Sequence, residues 1–385
     1  MKPNKIEVMK KHIFLFTMDI TLDGGVERVV SNMANSFSKR GYRVDIISLF
    51  KANENIKYHL DGKIKVKYLF DNLSFDNWHN SLLVKSNLYW RYRLALKFTD
   101  KLYCYIDSEL SDGETAVVMW NTYQITPLYR HHNVHIIGLD HSRYPFGNIV
   151  KGLRHKLHTY MVSKFDIVTT LNEDEVGKWR TIGRPVYVMP NYLPDSGFQT
   201  VPKINDRKKV VVSLGRMNTN QKGFDRLIEA YSLIAAKHPD WKLNIYGSGC
   251  LQNGYRQLIN DLNMQDFIEI FDFTKNPLAV YQTASIYAMC SRDEGFGMVL
   301  LEAGSLGVPL VAYNVEFGPR SIIKNSVTGY IVPDGDKVKF AESLEKLMND
   351  EKLREKMSEE ILKDIPARFS EKVIMDKWIK IINSI

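Results

Sequence analysis

The sequence predicts an α/β protein of two domains, each a mostly parallel sheet covered by helices. Three observations predict it. Short apolar runs alternate with amphipathic segments along the whole chain, the pattern of βαβ units. The alternation breaks over residues 191–207, where Pro194, Gly197 and Pro202 stand among few apolar residues. The length, 385 residues, suits two domains at roughly 100–200 residues each.

In the first half, residues 12–17, 43–48, 65–69, 116–120, 134–139, 167–170 and 186–189 read as strands. A helical stretch fills 26–40 and stops at Gly41, a residue suited to the position after a helix. In the second half the strands are 209–213, 242–246, 268–271, 286–289, 309–312 and 329–332, with helices over 223–237 and 298–306. The tail from Phe340 is helical and charged. Pro366 is expected to interrupt it, and Ser370 to cap a last helix ending near Ile382.

Composition narrows the function. Apolar residues make up 44% and charged residues 25%, a globular profile. Cys104, Cys250 and Cys290 are too few and scattered for a disulfide framework or zinc site. No run reaches the ~20 apolar residues of a membrane span, and no signal peptide is evident, so a cytoplasmic protein is expected. Residues 1–204 hold 28 of the 52 Lys and Arg and 20 of the 44 Asp and Glu, which accounts for the whole net charge of +8. That half favours an anionic partner, or is simply a solvated basic surface. Residues 85–101 mix Tyr89, Trp90, Tyr92 and Phe98 with five cations and one acid, a composition suited to a helix lying on anionic lipid or to a solvated basic helix.

The strongest chemical signal runs from Arg292 to Ala303, a strand leading through Asp293, Glu294, Gly295, Phe296 and Gly297 into an apolar helix at Met298 and Val299. Unpaired N–H groups at such a start suit phosphate or sugar oxygens. Glu294 and Glu302, eight residues apart, could both accept from a polyol. The alternative is a helix cap and a surface charge, but Val299-Leu300-Leu301 marks a buried helix, and a buried Glu302 needs a partner. The second signal is Gly215-Arg216 with Lys222-Gly223 after a strand, two cations that fit a diphosphate or are plain loop cations. Gly24-Gly25 follows the first strand, a turn common in α/β sheets. Asp140 and His141 end another strand, and a lone histidine is more often structural. Gly247-Ser248-Gly249, with the next glycine at 254, lacks dinucleotide spacing.

Taken in this order, the residues resemble the retaining GT-B glycosyltransferases of family four, which include bacterial enzymes that build cell-surface glycans. The likeness covers nearly the whole chain and is most specific over 213–334. It implies a GT-B fold, two Rossmann-like domains facing each other across a cleft. The acceptor domain would span 1–200, joined by a returning helix at 368–385, and the nucleotide-sugar domain would span 205–367. It implies that Arg216 and Lys222 hold the donor diphosphate, Glu302 the ribose, and Glu294 with the amides of Phe296 to Val299 the donor sugar and phosphates. Residues 271–276, Phe273 among them, would lie along the base. His141 would sit near the anomeric carbon. No metal or other cofactor is implied, because two cations replace it. Asp334-Gly335-Asp336 follows Pro333 and reads as a turn rather than a metal site.

The expected function is transfer of a sugar, with retention, from a nucleotide-sugar (UDP by default) to a glycan or lipid-linked acceptor in cell-surface polysaccharide, lipopolysaccharide or capsule synthesis. Domain closure would exclude water. The protein would be cytoplasmic, with peripheral docking on the inner membrane leaflet. Rival readings are a nucleotide-sugar 2-epimerase, an inactive nucleotide-sugar-binding partner subunit, or a nucleic-acid binder, though no nucleic-acid module is recognisable.

Overall fold

The computed structural model describes residues 11–70, 88–121, 126–139, 160, 162–180, 183–195, 201 and 206–385. The chain divides into two compact units: Met1–Met189 with Met375–Ile385, and Pro190–Ile374.

In the first unit, β1 (Lys11–Thr17), β2 (Arg43–Phe50), β3 (Lys65–Phe70), β4 (Thr115–Trp120), β5 (Val134–Leu139), β6 (Ile167–Thr170) and β7 (Val186–Val188) form one sheet of order β3-β2-β1-β4-β5-β6-β7. Its pairings are parallel; His12 faces Arg43 on β2 and Ala116 on β4. A parallel strand in the middle of such a sheet is covered on both faces, so it reads as a continuous apolar run. β1 follows that rule, with all of His12–Thr17 buried. Helix α1 (Gly25–Lys39) follows β1 and turns Val29, Val30, Met33 and Phe37 inward. Helix α2 (Leu88–Glu109) precedes β4, and α3 (Glu173–Arg180) links β6 to β7.

Helix α2 corrects one expectation. Phe98 is fully buried and packs on Phe16 and Trp120, at 5.6 and 5.7 Å between ring centroids. It is a core residue, not a lipid-facing one, because its turn of α2 lies against the sheet. Lys101 donates to the Leu69 carbonyl at 2.8 Å and lies over the Phe70 ring. Arg93 and Lys97 are exposed.

The second unit has β8 (Val210–Leu214), β9 (Lys242–Tyr246), β10 (Ile268–Phe271), β11 (Ile286–Met289), β12 (Leu310–Asn314) and β13 (Gly329–Pro333), in the order β10-β9-β8-β11-β12-β13. This repeats the order of the first six strands of the chain, so each unit starts in the middle of its sheet and builds outward both ways. Its helices are α4 (Phe224–Ser232), α5 (Gln252–Asp261), α6 (Pro277–Thr283), α7 (Met298–Ser305), α8 (Pro319–Ile322), α9 (Lys337–Asn349), α10 (Glu351–Phe369) and α11 (Glu371–Asn383). Residues 375–385, which include most of α11, belong to the first unit, where Lys11 donates to the carbonyl of Ile382.

Two helix expectations change. The helix expected over 223–237 ends at Ser232 and is followed by a 3₁₀ turn over Ala235–Lys237. Pro366 does not interrupt the tail: it lies inside α10, which continues to Phe369. Proline removes one backbone donor. Here it falls in the last turn, so little ladder follows it, and its carbonyl still accepts from Ser370 N at 3.3 Å.

Candidate functional site

β8 and β11 are neighbours that lead to opposite halves of their sheet, the switch point at which ligands bind open α/β sheets. Their carboxyl ends deliver two loops side by side, 215–223 and 290–297. Several contacts tie the loops together. The Arg292 N–H donates to the Gln221 carbonyl at 2.7 Å, and Gln221 Nε2 donates to the Asp293 carbonyl at 3.2 Å. The Arg292 guanidinium grips Asp225 with two bonds of 2.8 and 2.6 Å and reaches the Asn220 carbonyl at 2.9 Å. Burial alone would push the Asp225 carboxyl up, but the bonds from Arg292 outweigh it and hold the group below its ordinary value. Gly223 makes the close approach possible. Its φ is +65°, and a Cβ there would lie 2.0 Å from the Cys290 carbonyl oxygen.

This framework brings Lys222 and Glu294 together. Lys222 Nζ donates to Glu294 Oε1 at 2.6 Å, and the Ser291 hydroxyl donates to the same oxygen at 2.6 Å. Glu294 is 7% exposed, so the carboxylate is buried and anchored on one oxygen. Gly215 lies against the Lys222 stem, where a Cβ would come 2.9 Å from Cγ. Arg216 is exposed and makes no hydrogen bond or ion pair with any described residue.

Past Glu294, Gly295 and buried Phe296 lead to Gly297, whose φ of +92° turns the chain into α7. From Leu300 to Ser305 every residue of α7 is buried, while Met298 and Val299 at its start are half-buried. Their N–H groups precede any carbonyl of the helix that could accept them. Glu302, also 7% exposed, accepts from the hydroxyl of buried Tyr281 at 3.1 Å. Tyr287 packs edge-on against Tyr281, and burial, with the charges of Glu294 and Glu302 adding to it, drives its phenol well above the ordinary value. Phe273 follows β10 with 66% of its surface exposed, and its N–H donates to Ser248 Oγ at 3.0 Å.

Other predicted residues lie elsewhere. Gly24 and Gly25 belong to the first unit, at the junction of β1's loop with α1. The Tyr58 hydroxyl lies 3.1 Å from the Gly24 carbonyl, and burial, then the charge of Asp23, pushes its phenol up to about 12. Asp140 and His141 lie outside the described residues. Asp334 pairs with Arg226, and Asp336 caps α9 by accepting from Lys339 N at 3.0 Å. Among the described residues no group of three or more His, Cys, Asp or Glu is placed to hold a metal ion, and no helix is long and apolar enough to cross a membrane.

Sequence reasoning missed Tyr281, Ser291, Asp225 and the structural role of Arg292. Ser291 and Arg292 adjoin the motif and could have been noticed there. Tyr281 carries no local signal, because only the fold places it against Glu302.

Residues 198–364 match the family described as Glycosyl transferases group 1. The chain is similar to an uncharacterized glycosyltransferase of Haemophilus influenzae, 26% identical over 91% of this chain and 94% of the relative. It is also similar to the amylovoran biosynthesis glycosyltransferase AmsD of Erwinia amylovora, 26% identical over 94% and 97%. A TarM variant of S. aureus, crystallised with fondaparinux, alpha-GlcNAc-glycerol and UDP, superposes with a TM-score of 0.72 at 15% identity, over 97% of this chain and 99% of that one. Anabaena HepE with UDP and glucose gives 0.71 at 16% identity, over 97% and 99%. The solved structures show the fold, GT-B with two Rossmann-like units.

Proposed function

We propose that this member of the group 1 glycosyl transferases moves a sugar from a UDP-sugar to a glycan or lipid-linked acceptor in bacterial cell-surface polysaccharide synthesis, with retention at the anomeric carbon and without a metal ion. The observation that carries this reading is the Lys222–Glu294 contact of 2.6 Å at the switch point of the second sheet. It puts a cation and a buried carboxylate within reach of one ligand. Relatives of full length such as AmsD support the pathway, and the UDP held by TarM and HepE supports the nucleotide.

Lys222 has three donor hydrogens. Glu294 takes one and leaves two for phosphate oxygens. Arg216, exposed and unpaired among the described residues, completes the diphosphate clamp. Together with the first N–H groups of α7 they offset the negative charge that grows on the departing diphosphate, which lowers the transition state more than the ground state. Two fixed cations do what a divalent ion does elsewhere. Glu294 accepts from hydroxyls of the donor sugar and Glu302 from those of the ribose. Phe273 and its loop lie along the base.

Lys222→Ala tests the clamp. The hypothesis expects kcat to fall by roughly a hundredfold or more, the size of effect seen when one preorganised oxyanion donor is removed. UDP should raise the melting temperature of the wild type more than that of the variant. A variant that transfers sugar at the wild-type rate sinks the assignment.

A further inference from the structure

We propose that Tyr281 is the positioning residue that sets the nucleotide site's preference for a ribose bearing its hydroxyls, acting through Glu302. The inference rests on the reading of Glu302 as the ribose acceptor. It adds a residue from a different element, twenty-one positions earlier in the chain.

Glu302 stands on α7 in a buried stretch, and a polar group there needs a hydrogen-bond partner. Tyr281, on α6 and with none of its surface exposed, supplies one at 3.1 Å to Oε2. A phenol has a single hydrogen to donate, so this one is committed to the carboxylate. The ring itself cannot drift, since it is enclosed and packed edge-on against Tyr287 at 5.7 Å. A rigid donor on one carboxylate oxygen fixes the rotamer of a side chain with three free torsions, and so aims the group before ligand arrives. Charge-assisted bonds of this kind are directional as well as strong.

The test measures UDP and 2′,3′-dideoxy-UDP binding by titration calorimetry, for the wild type and for Tyr281→Phe. A smaller folded fraction would weaken both nucleotides by the same factor, so a loss of stability does not mimic a change in their ratio. In the wild type, UDP binds more tightly than the dideoxy analogue. In Tyr281→Phe, UDP binding weakens by roughly tenfold, on the scale of one lost hydrogen bond to a charged group. Binding of the dideoxy analogue hardly changes, so the preference between the two collapses. If the wild type shows the preference and the variant keeps it undiminished, Tyr281 does not act through the ribose, and the role of Glu302 stands without it. A wild type that binds both nucleotides alike, or neither, overturns the Glu302 reading and this proposal together.

Discussion

Single atoms decide the site. Gly223 is the clearest case: its backbone occupies the left-handed region, and an added Cβ would sit 2.0 Å from a backbone oxygen that cannot swing away. Gly223→Ala should therefore cost about 3 kcal/mol, combining strain at positive φ with overpacking. A urea-unfolding midpoint equal to that of the wild type would mean the loop does not approach Cys290 as described. Glu294 and Glu302 show the other side of residue-scale control. Each is buried to the same degree, yet one is held by a lysine and a serine and the other by a tyrosine. The same residue type thus meets an ammonium group at the loop and a phenol on the helix.

At the scale of elements, the two loops act as one because Arg292 joins them. Its pair with Asp225 is partly open to water, Arg292 being 40% exposed, so screening limits its worth to about 1 kcal/mol or less. The sign of its pH dependence follows from Asp225. The folded-state value lies below the ordinary 3.8, so the stabilisation is present above that value and is lost as pH falls below it. Asp225→Asn should thus be less stable than the wild type at neutral pH, and the gap should close toward pH 3. Urea midpoints of both proteins at the two pH values check this; a gap that persists in acid would assign the difference to something other than the ion pair. Helices obey similar local logic. Asp336 and Asp350 cap α9 and α10 by accepting from backbone N–H groups, whereas Pro366 near the end of α10 costs one donor and leaves the helix intact.

Across the whole molecule, both units share one construction, with the first strand central and the later ones laid down on either side. Charge is not shared in the same way, since the excess of +8 lies in residues 1–204. We propose that the first unit uses this excess to meet an anionic membrane carrying the acceptor. With Phe98 in the core, the described cations left for that surface on α2 are Arg93 and Lys97. At low salt the protein should float with anionic liposomes, and Arg93→Glu with Lys97→Glu should reduce the bound fraction several-fold, each cation near such a surface being worth about 1 kcal/mol. Protein that stays at the bottom of the gradient with the wild-type sequence removes the idea.

The sequence by itself determined the strands and the fold class, because runs such as 12–17 and 286–289 are apolar enough to be buried in any parallel sheet and the turns between them carry glycine or polar residues. It also marked Glu294, Glu302, Arg216 and Lys222 as chemically unusual, since each breaks a local pattern. Only the tertiary structure decided which of these meet. Lys222 and Glu294 are 72 residues apart, and they touch because β8 and β11 are neighbours in a sheet whose order does not follow the chain. Tyr281 and Phe98 belong to the same class of fact: an aromatic residue on a half-buried helix has the same local pattern whether it supports a carboxylate, fills a core or faces lipid. Periodicity records how much of a side chain is hidden, and packing alone records what hides it.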